Sequence, residues 1–386
     1  MKTLKIIDFY SINNFHEIVN FSLLQCFSNI YSNVIYIVGK SAYENMQKLS
    51  TQNNIEFSNV TFKSKWVVEL THPLGALLRM LFGFFIFLKE YFMLKKGETI
   101  FYNYNNPFAL PFIALLNRLF KKNIIIIFHG ELEFFITPIS FYKLHAIYKL
   151  FNFISFKFLL KKSNIKILLL GNSIKRNLIE IFPQVTNLII SINHPYIFQN
   201  NNSRKLELNK KLTIGTVGLL IPEKGLYELL KISNAFKKDI SEDKIEIKII
   251  GKVPAYINKE NYKEITWMPN EYIPRDIFDK EIDTLDFILF LYPTNSYKLI
   301  ASGALLDALS KEKPIIALKN SYFKECFEDY EVGYLCNSTE EITETIIRLI
   351  NSDKQIKYEQ FVNNIRLLKN KFSIEYNTDL LKQQLS

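Results

Sequence analysis

Several stretches of the sequence hold residues whose types and spacing suit anion binding or proton handling. The segment LTIGTVGLLIPEKG, residues 212–225, is a strand-like run that turns at Gly218 and reaches Lys224-Gly225 just before a helical stretch. Such a turn lets backbone N–H groups come close to an anion, and the lysine adds a point charge suited to phosphate. A tight turn with a surface lysine is the plain alternative. Further on, TNSYKLIASGALLDALSKEKPIIAL, residues 294–318, sets Ser302 and Gly303 at a helix start with Tyr297 and Lys298 just upstream. The amides of a helix N-terminus carry partial positive charge, so this one would face an anion while Tyr297 stacks and Lys298 pairs. Asp307 follows inside the helix, on a face that reaches its mouth. Its carboxylate could accept hydrogen bonds from two vicinal hydroxyls, or it could be locally paired or solvated.

In the first half, the run NIIIIF ends in His129-Gly130-Glu131. A polar residue at the carboxyl end of a parallel strand faces the crevice where open α/β sheets bind ligands. His129 could orient a hydroxyl or stabilise a leaving anion, and Glu131 could act as a base. Against this stand a histidine hydrogen-bonded beneath its loop and a glutamate turned to solvent. The loop FYSINNFHEIVN after the first strand places Asn14 and His16 at a helix start, where Asn14 could equally be an N-cap. His194, beside Pro195, reads as part of a mainly structural turn. Cys26, Cys326 and Cys336 form no CxxC pair or ligand cluster, and no acidic pair sits at a strand end. No metal site or other cofactor is expected, and the thiols are expected to be reduced.

These residues need elements to hold them. Short β-rich runs alternate with helical stretches along the whole chain, the rhythm of parallel sheets covered by helices. With 386 residues, 48% apolar and 22% charged, the chain is sized for two α/β domains and lacks the composition of a disordered or fibrous protein. The polar stretch 199–211 (QNNNSRKLELNKK) marks a linker, which divides the chain into domains 1–205 and 206–365, with a helix over 366–386 expected to pack toward the first. The start of the chain reads as a strand and not as a signal peptide, which predicts a cytoplasmic protein.

The net charge of +10 is uneven: residues 1–200 carry 21 Lys and Arg against 10 Asp and Glu. No recognition motif accompanies that charge, so a nucleic-acid partner is not expected. The most apolar segment, 74–94, is interrupted by Arg79 and Lys89 and is too short in its uncharged core to span a bilayer. It reads as a core helix or a surface-inserting one. In FYKLHAIYKLFNFISFKFLLKK, residues 141–162, a regular helical wheel puts Lys143, His145, Lys149, Lys157 and Lys161 on one side and Leu144, Ile147, Phe151, Ile154 and Phe158 on the other. That pattern suits either a helix lying on an anionic membrane surface, on the inner face of the plasma membrane, or a solvated helix covering the core.

Residues 212–350 resemble the donor-binding domain of GT-B glycosyltransferases, especially the large retaining group (family 4-like, or group 1). The first half is similar in architecture alone. The resemblance implies two Rossmann-like domains facing a cleft, with a nucleotide-sugar donor held by the second and a glycan or lipid-linked glycan acceptor by the first, in surface polysaccharide synthesis. Gly218, Lys224 and Gly225 match the family's diphosphate-binding turn, and His129 matches its strand-end His-Gly. Asp307 falls on the second of two family carboxylates, whereas Leu299 occupies the first. The Arg common after the glycine turn is Leu219 or Leu220 here, which leaves Lys298 or Lys252 to supply that charge. A non-catalytic scaffold of the same fold and a sugar-nucleotide epimerase remain alternatives.

Overall fold

The computed structural model describes residues 2–13, 15–137, 143–198, 210–268, 273–351 and 355–385. The chain divides into two compact units, one of Met1–Ile197, Leu299–Ala301 and Phe372–Ser386, the other of Phe198–Lys298 and Ser302–Lys371. Most of the expected linker, residues 199–209, lies outside the described residues, as does Asn14.

The first unit is built on seven parallel strands, β1 (Thr3–Asp8), β2 (Asn33–Gly39), β3 (Val60–Lys65), β4 (Thr99–Tyr102), β5 (Asn123–Ile127), β6 (Ile165–Leu170) and β7 (Ile189–Ile192), in the order β3-β2-β1-β4-β5-β6-β7. The central strands are runs such as NIIII and IKILLL, with side chains buried on both faces. That is why they read as continuous apolar runs and not as alternating ones. One hydrophobic layer packs Tyr91, Ile113 and Phe156 against one face, and a second packs Phe21, Leu24 and Leu381 against the other. Leu381 belongs to the helix Ile374–Leu385, whose Gln384 side chain bonds the Ser191 backbone N–H (3.0 Å) and carbonyl (2.8 Å) in β7. The preceding helix runs unbroken over Gln355–Lys369, through the boundary expected at 366, and the chain turns at Asn370–Phe372.

The second unit has six parallel strands, β8 (Leu212–Val217), β9 (Ile245–Ile250), β10 (Ile265–Trp267), β11 (Phe287–Phe290), β12 (Ile315–Leu318) and β13 (Gly333–Cys336), in the order β10-β9-β8-β11-β12-β13. Counted from its own first strand, each sheet follows the doubly wound order 3-2-1-4-5-6, with a seventh strand added in the first. Two glycines let backbones meet at the carboxyl ends of β8 and β9. Gly251 has φ 149°, and a Cβ there would stand 1.8 Å from the Gly218 carbonyl; Gly225 has φ 86°, and its Cβ would stand 2.1 Å from the Leu291 carbonyl. Gly225 thus seats the helix Leu226–Ala235 against the strand end and fixes Lys224 beside it.

The regular helix over 143–162 on which the sequence wheel rests does not form. Residues 143–162 are an α-helix only over Lys143–Ile154, then a π turn, Ser155–Leu159, and a 3-10 turn, Leu160–Lys162. The π turn rotates the last residues off a regular wheel. Asn152, Ser155 and Phe156 face inward, while Ile147, Ile154 and Phe158 are exposed, which goes against the core-covering alternative. Asn152 is buried because its side-chain oxygen accepts from Asn105 at 2.9 Å. Among the described residues, no helix is long and apolar enough to cross a membrane.

Candidate functional site

Each unit gathers polar and aromatic side chains at the carboxyl ends of its strands, and each cluster is described by itself. In the first unit the anchor is Asp8, the last residue of β1 and fully buried. Its carboxyl accepts from the amides of Tyr10 (3.2 Å) and Ser11 (3.0 Å) and from the side chains of Asn20 (3.0 Å) and Asn103 (3.2 Å). Burial pushes its pKa up, against those hydrogen bonds. Asp8 therefore ties the loop after β1 to the loop after β4.

Those loops deliver a column of rings. Tyr10 stacks on Tyr104 with centroids 3.8 Å apart, Tyr104 lies parallel to His129 at 6.2 Å, and His129 stacks on His16 at 4.3 Å. His16 takes the left-handed conformation (φ 57°) at the start of the helix Glu17–Ser28, which turns its ring toward β5 instead of letting it cap the helix. His194 is close enough that its charge would oppose that of His16 and His129. Burial lowers all three: His129 and His194 to about 4, and His16 well below the ordinary histidine range. At neutral pH they are uncharged. The Nε2 of His129 lies 3.2 Å from the Asn103 carbonyl, which can only accept, so Nε2 carries the proton and Nδ1 keeps its lone pair.

Glu131 is where the sequence placed it, but its carboxyl is turned back on its own loop. One oxygen accepts from the amides of His129 (2.8 Å) and Gly130 (2.9 Å). Burial raises its pKa to about 7 in spite of those amides. This geometry makes it a brace for His129. Two residues on, Glu133 accepts from the Leu299 amide at 2.7 Å, within the same unit.

In the second unit Lys224, Tyr292, Tyr297 and Ser302 meet. Tyr292 and Tyr297 stack at 4.3 Å, and the Lys224 ammonium lies 5.9 Å and 5.8 Å from their ring centroids. Desolvation lowers the pKa of Lys224, and among the described residues no carboxylate pairs with it. The Tyr292 hydroxyl bonds the Ser302 hydroxyl at 3.1 Å, and burial raises the phenol to about 12. Ser302 precedes the helix Gly303–Ser310, which no side chain caps, and the space where a Gly303 Cβ would stand is open. A partly desolvated cation, a phenol pair and an uncapped helix start therefore surround one position suited to a polyanion.

Asp307 is on the expected face of that helix, close enough to Tyr292 for its charge to act on the phenol. It is also salt-bridged to Arg275 at 2.8 Å, and Arg275 bonds Asp279 at 2.8 Å. A ligand hydroxyl at Asp307 would share the carboxylate with that guanidinium. Leu220 is buried and Leu219 exposed, so neither position offers a cation. Lys298 is half-buried, and Lys252 is exposed, with its carbonyl taking the Leu220 amide at 2.8 Å. Arg275, Tyr292, Tyr104 and Asp8 are the residues that the sequence reading did not single out. Asp8 alone left a signal, as an acid ending an apolar strand. Among the described residues, no group of three His, Cys, Asp or Glu side chains could hold a metal ion.

Solved structures with both units match the chain over its full length. Anabaena HepE in complex with UDP and glucose has 14% identity and a TM-score of 0.62, with 100% of this chain and 99% of that one covered. A Staphylococcus aureus TarM variant in complex with Fondaparinux, α-GlcNAc-glycerol and UDP has 11% identity and a TM-score of 0.66, with 99% of each chain covered. The chain has the GT-B fold. Within this GT-B chain, the histidine column lies in the first Rossmann-like unit and the lysine–tyrosine cluster in the second. In sequence, a capsular polysaccharide biosynthesis glycosyltransferase of Staphylococcus aureus, CapM, is 25% identical over 186 residues. That similarity takes in 46% of this chain and 47% of CapM, about half of the relative's length. No family model matches the chain.

Proposed function

We propose that this GT-B chain is a glycosyltransferase that takes a sugar from a nucleotide-diphosphate-sugar and transfers it to a glycan or lipid-linked glycan in surface polysaccharide synthesis. The observation that carries the reading is Lys224: a desolvated ammonium without a carboxylate partner among the described residues, set over two tyrosines beside an open helix start. A partly buried charge left so is costly unless a ligand completes it. A nucleotide diphosphate carries the matching charge, and the similarity to CapM and to structures that hold UDP, or UDP and glucose, supports that ligand class.

In this reading Lys224, Ser302 and the amides from Gly303 onward hold the diphosphate and stabilise it as it leaves. Tyr297 and Lys298 flank it, Lys252 offers an outer charge, and Asp307 receives the ribose. Gly218 and Gly225 give the backbone its close approach. The neutral histidine column, with His129 braced by Glu131 and flanked by His16, receives the acceptor and orients its hydroxyl. Leaving-group stabilisation comes from fixed charges and dipoles, so turnover needs no bound metal and survives a chelator. Transfer proceeds with retention of anomeric configuration. The acceptor is lipid-linked and is met at an anionic membrane surface on the cytoplasmic side.

Calorimetric titration with a panel of nucleotides and nucleotide-sugars tests this. One nucleotide diphosphate should bind the native chain and lose most of its affinity in Lys224→Ala. A panel that fails to bind would overturn the proposal, as would a donor that binds but is only epimerised or left intact with every glycan tried.

A further inference from the structure

Three helices cover one face of the first sheet, and their outward sides are apolar. The helix Ala109–Phe120 lies between Pro73–Met93 and the helix that starts at Lys143. Phe112 meets Phe84 with centroids 5.4 Å apart on one side, and Phe108 meets Tyr148 and Phe151 on the other. The Arg118 guanidinium also donates to the Leu159 carbonyl at 3.1 Å. Phe112, Leu115 and Leu119 recur at three- and four-residue spacing, so they share one side of the central helix, and all three are exposed, Leu119 to 78%. Phe82 and Phe85 on the first helix and Phe158 beyond the third are exposed as well, Phe85 to 68%. The helix Ala109–Phe120 is apolar on both sides, and isolated exposed residues do not explain a face that continues across three helices.

The rim of this face is basic. Residues 73–98, 109–123 and 143–162 carry twelve Lys and Arg and two acids, Glu90 and Glu98. All three helices run back against the strands, so they end at one edge of the sheet, and there the cations gather. Lys122 donates to the carbonyls of Tyr91 (2.7 Å), Phe92 (3.2 Å) and Leu94 (3.1 Å), and Lys121 to that of Lys162 (3.0 Å), which accounts for those two as helix caps. Lys95, Lys96, Lys157, Lys161 and Lys162 are exposed. A pocket of about 280 Å³ opens at this edge, lined by Leu94, Lys95, Lys96, Lys121 and Lys122 among others, and by Glu98, whose carboxylate is paired with Lys5 at 3.3 Å; exposed Phe92, Met93 and Leu119 are adjacent in the chain to its lining.

We infer that the outer face of these three helices docks on an anionic phospholipid bilayer, with the aromatic and leucine side chains inserted at the acyl boundary and the lysine edge, including its pocket, receiving phosphate headgroups. Apolar insertion beside a lysine rim is the chemistry of a peripheral membrane surface. A second copy packed on this face with its helices parallel would set lysine edge against lysine edge. The inference specifies the membrane surface named in the proposed function, and rests on none of the donor-site residues.

The test is co-sedimentation of the full chain with phosphatidylcholine vesicles and with vesicles that also hold a quarter phosphatidylglycerol. The native chain should bind the anionic vesicles at least tenfold more tightly, and raising the salt should weaken that binding. Phe112→Ser with Leu119→Ser should lower it at least tenfold, and Lys95→Gln with Lys96→Gln should reduce the preference for anionic lipid. Both pairs are at exposed positions, and thermal unfolding followed by circular dichroism, unchanged from native, reports that the variants are folded. No binding to either vesicle overturns the inference, as do variants that bind like the native chain. A dimer by light scattering that the double serine variant dissociates would also overturn it, by assigning the face to a second copy. None of these outcomes touches the donor site, so the two proposals fail separately.

Discussion

The two units share a strand order, yet they finish their strands in opposite chemistry. At the ends of β8 and β11 the second unit holds a lysine, two stacked phenols and a bare helix start. At the ends of β1, β4 and β5 the first unit holds neutral histidines stacked on tyrosines. One end is built for a permanent negative charge, the other for hydroxyls that must be oriented without being charged. The topology fixes where a ligand meets the sheet. The loop residues decide what it can be, which is why two copies of one architecture can serve two different substrates.

The sharpest way to break this contrast is to remove the fixed cation. Lys224→Ala should weaken nucleotide-diphosphate binding by about 100-fold or more, since a buried charge pair that loses one partner costs about 2–5 kcal/mol. Nucleosides without phosphate should be affected far less. A uniform loss would show instead that the substitution disturbed the unit as a whole. On the other side, His129→Gln should cut turnover by about 100-fold, the scale of one positioned proton-handling group, and leave nucleotide affinity as it was. A parallel fall in affinity would erase the division of labour.

Asp307→Asn tests the edge of the donor cluster. It should cost nucleotide affinity about tenfold, as expected for hydrogen bonds to a charged group, and the cost should shrink for a 2′-deoxynucleotide. An equal loss for both would mean that the Arg275 pair is purely structural. The smallest effect is in stability against pH. His129 and His194 have folded pKa values near 4, below the ordinary 6.5, so their neutral forms favour the folded state above pH 6.5 and that contribution is lost as pH falls toward 4. Glu131 runs the other way. Its folded value near 7 lies above the ordinary 4.5, so its contribution is full below pH 4.5 and lost on rising through 7. Glu131→Gln should therefore gain melting temperature relative to the native chain at pH 8 compared with pH 5, and His194→Gln should lose less than the native chain on acidification from pH 6.5 to 4. Melting curves over that range check both.

Much of this was legible in the sequence because parallel strands announce themselves. Runs such as IKILLL and NIIII have no other economical fate, and a glycine turn after a strand fixes the position of the lysine that follows. What the sequence withheld is what depends on meetings between distant elements. Arg275 pairs with Asp307 across 32 residues, and His16, His129 and His194 come from three separate loops. The apolar face was hidden for another reason. Phe112, Leu115 and Leu119 look like any core residues until the structure shows them on the outside, and a π turn at Ser155–Leu159 defeats the regular wheel that would orient the neighbouring helix.

The carboxyl of Glu131 has a further consequence. The amides of His129 and Gly130 form a small concave donor pair of the kind that captures free phosphate, and here a tethered carboxyl group already fills it. Any dissolved phosphate or nucleotide reaching β5 would have to displace a competitor held at very high local concentration by the chain itself. The first unit is thereby deaf to the abundant small anions around it, and its strand end stays open to the neutral partner that the histidines are arranged to meet.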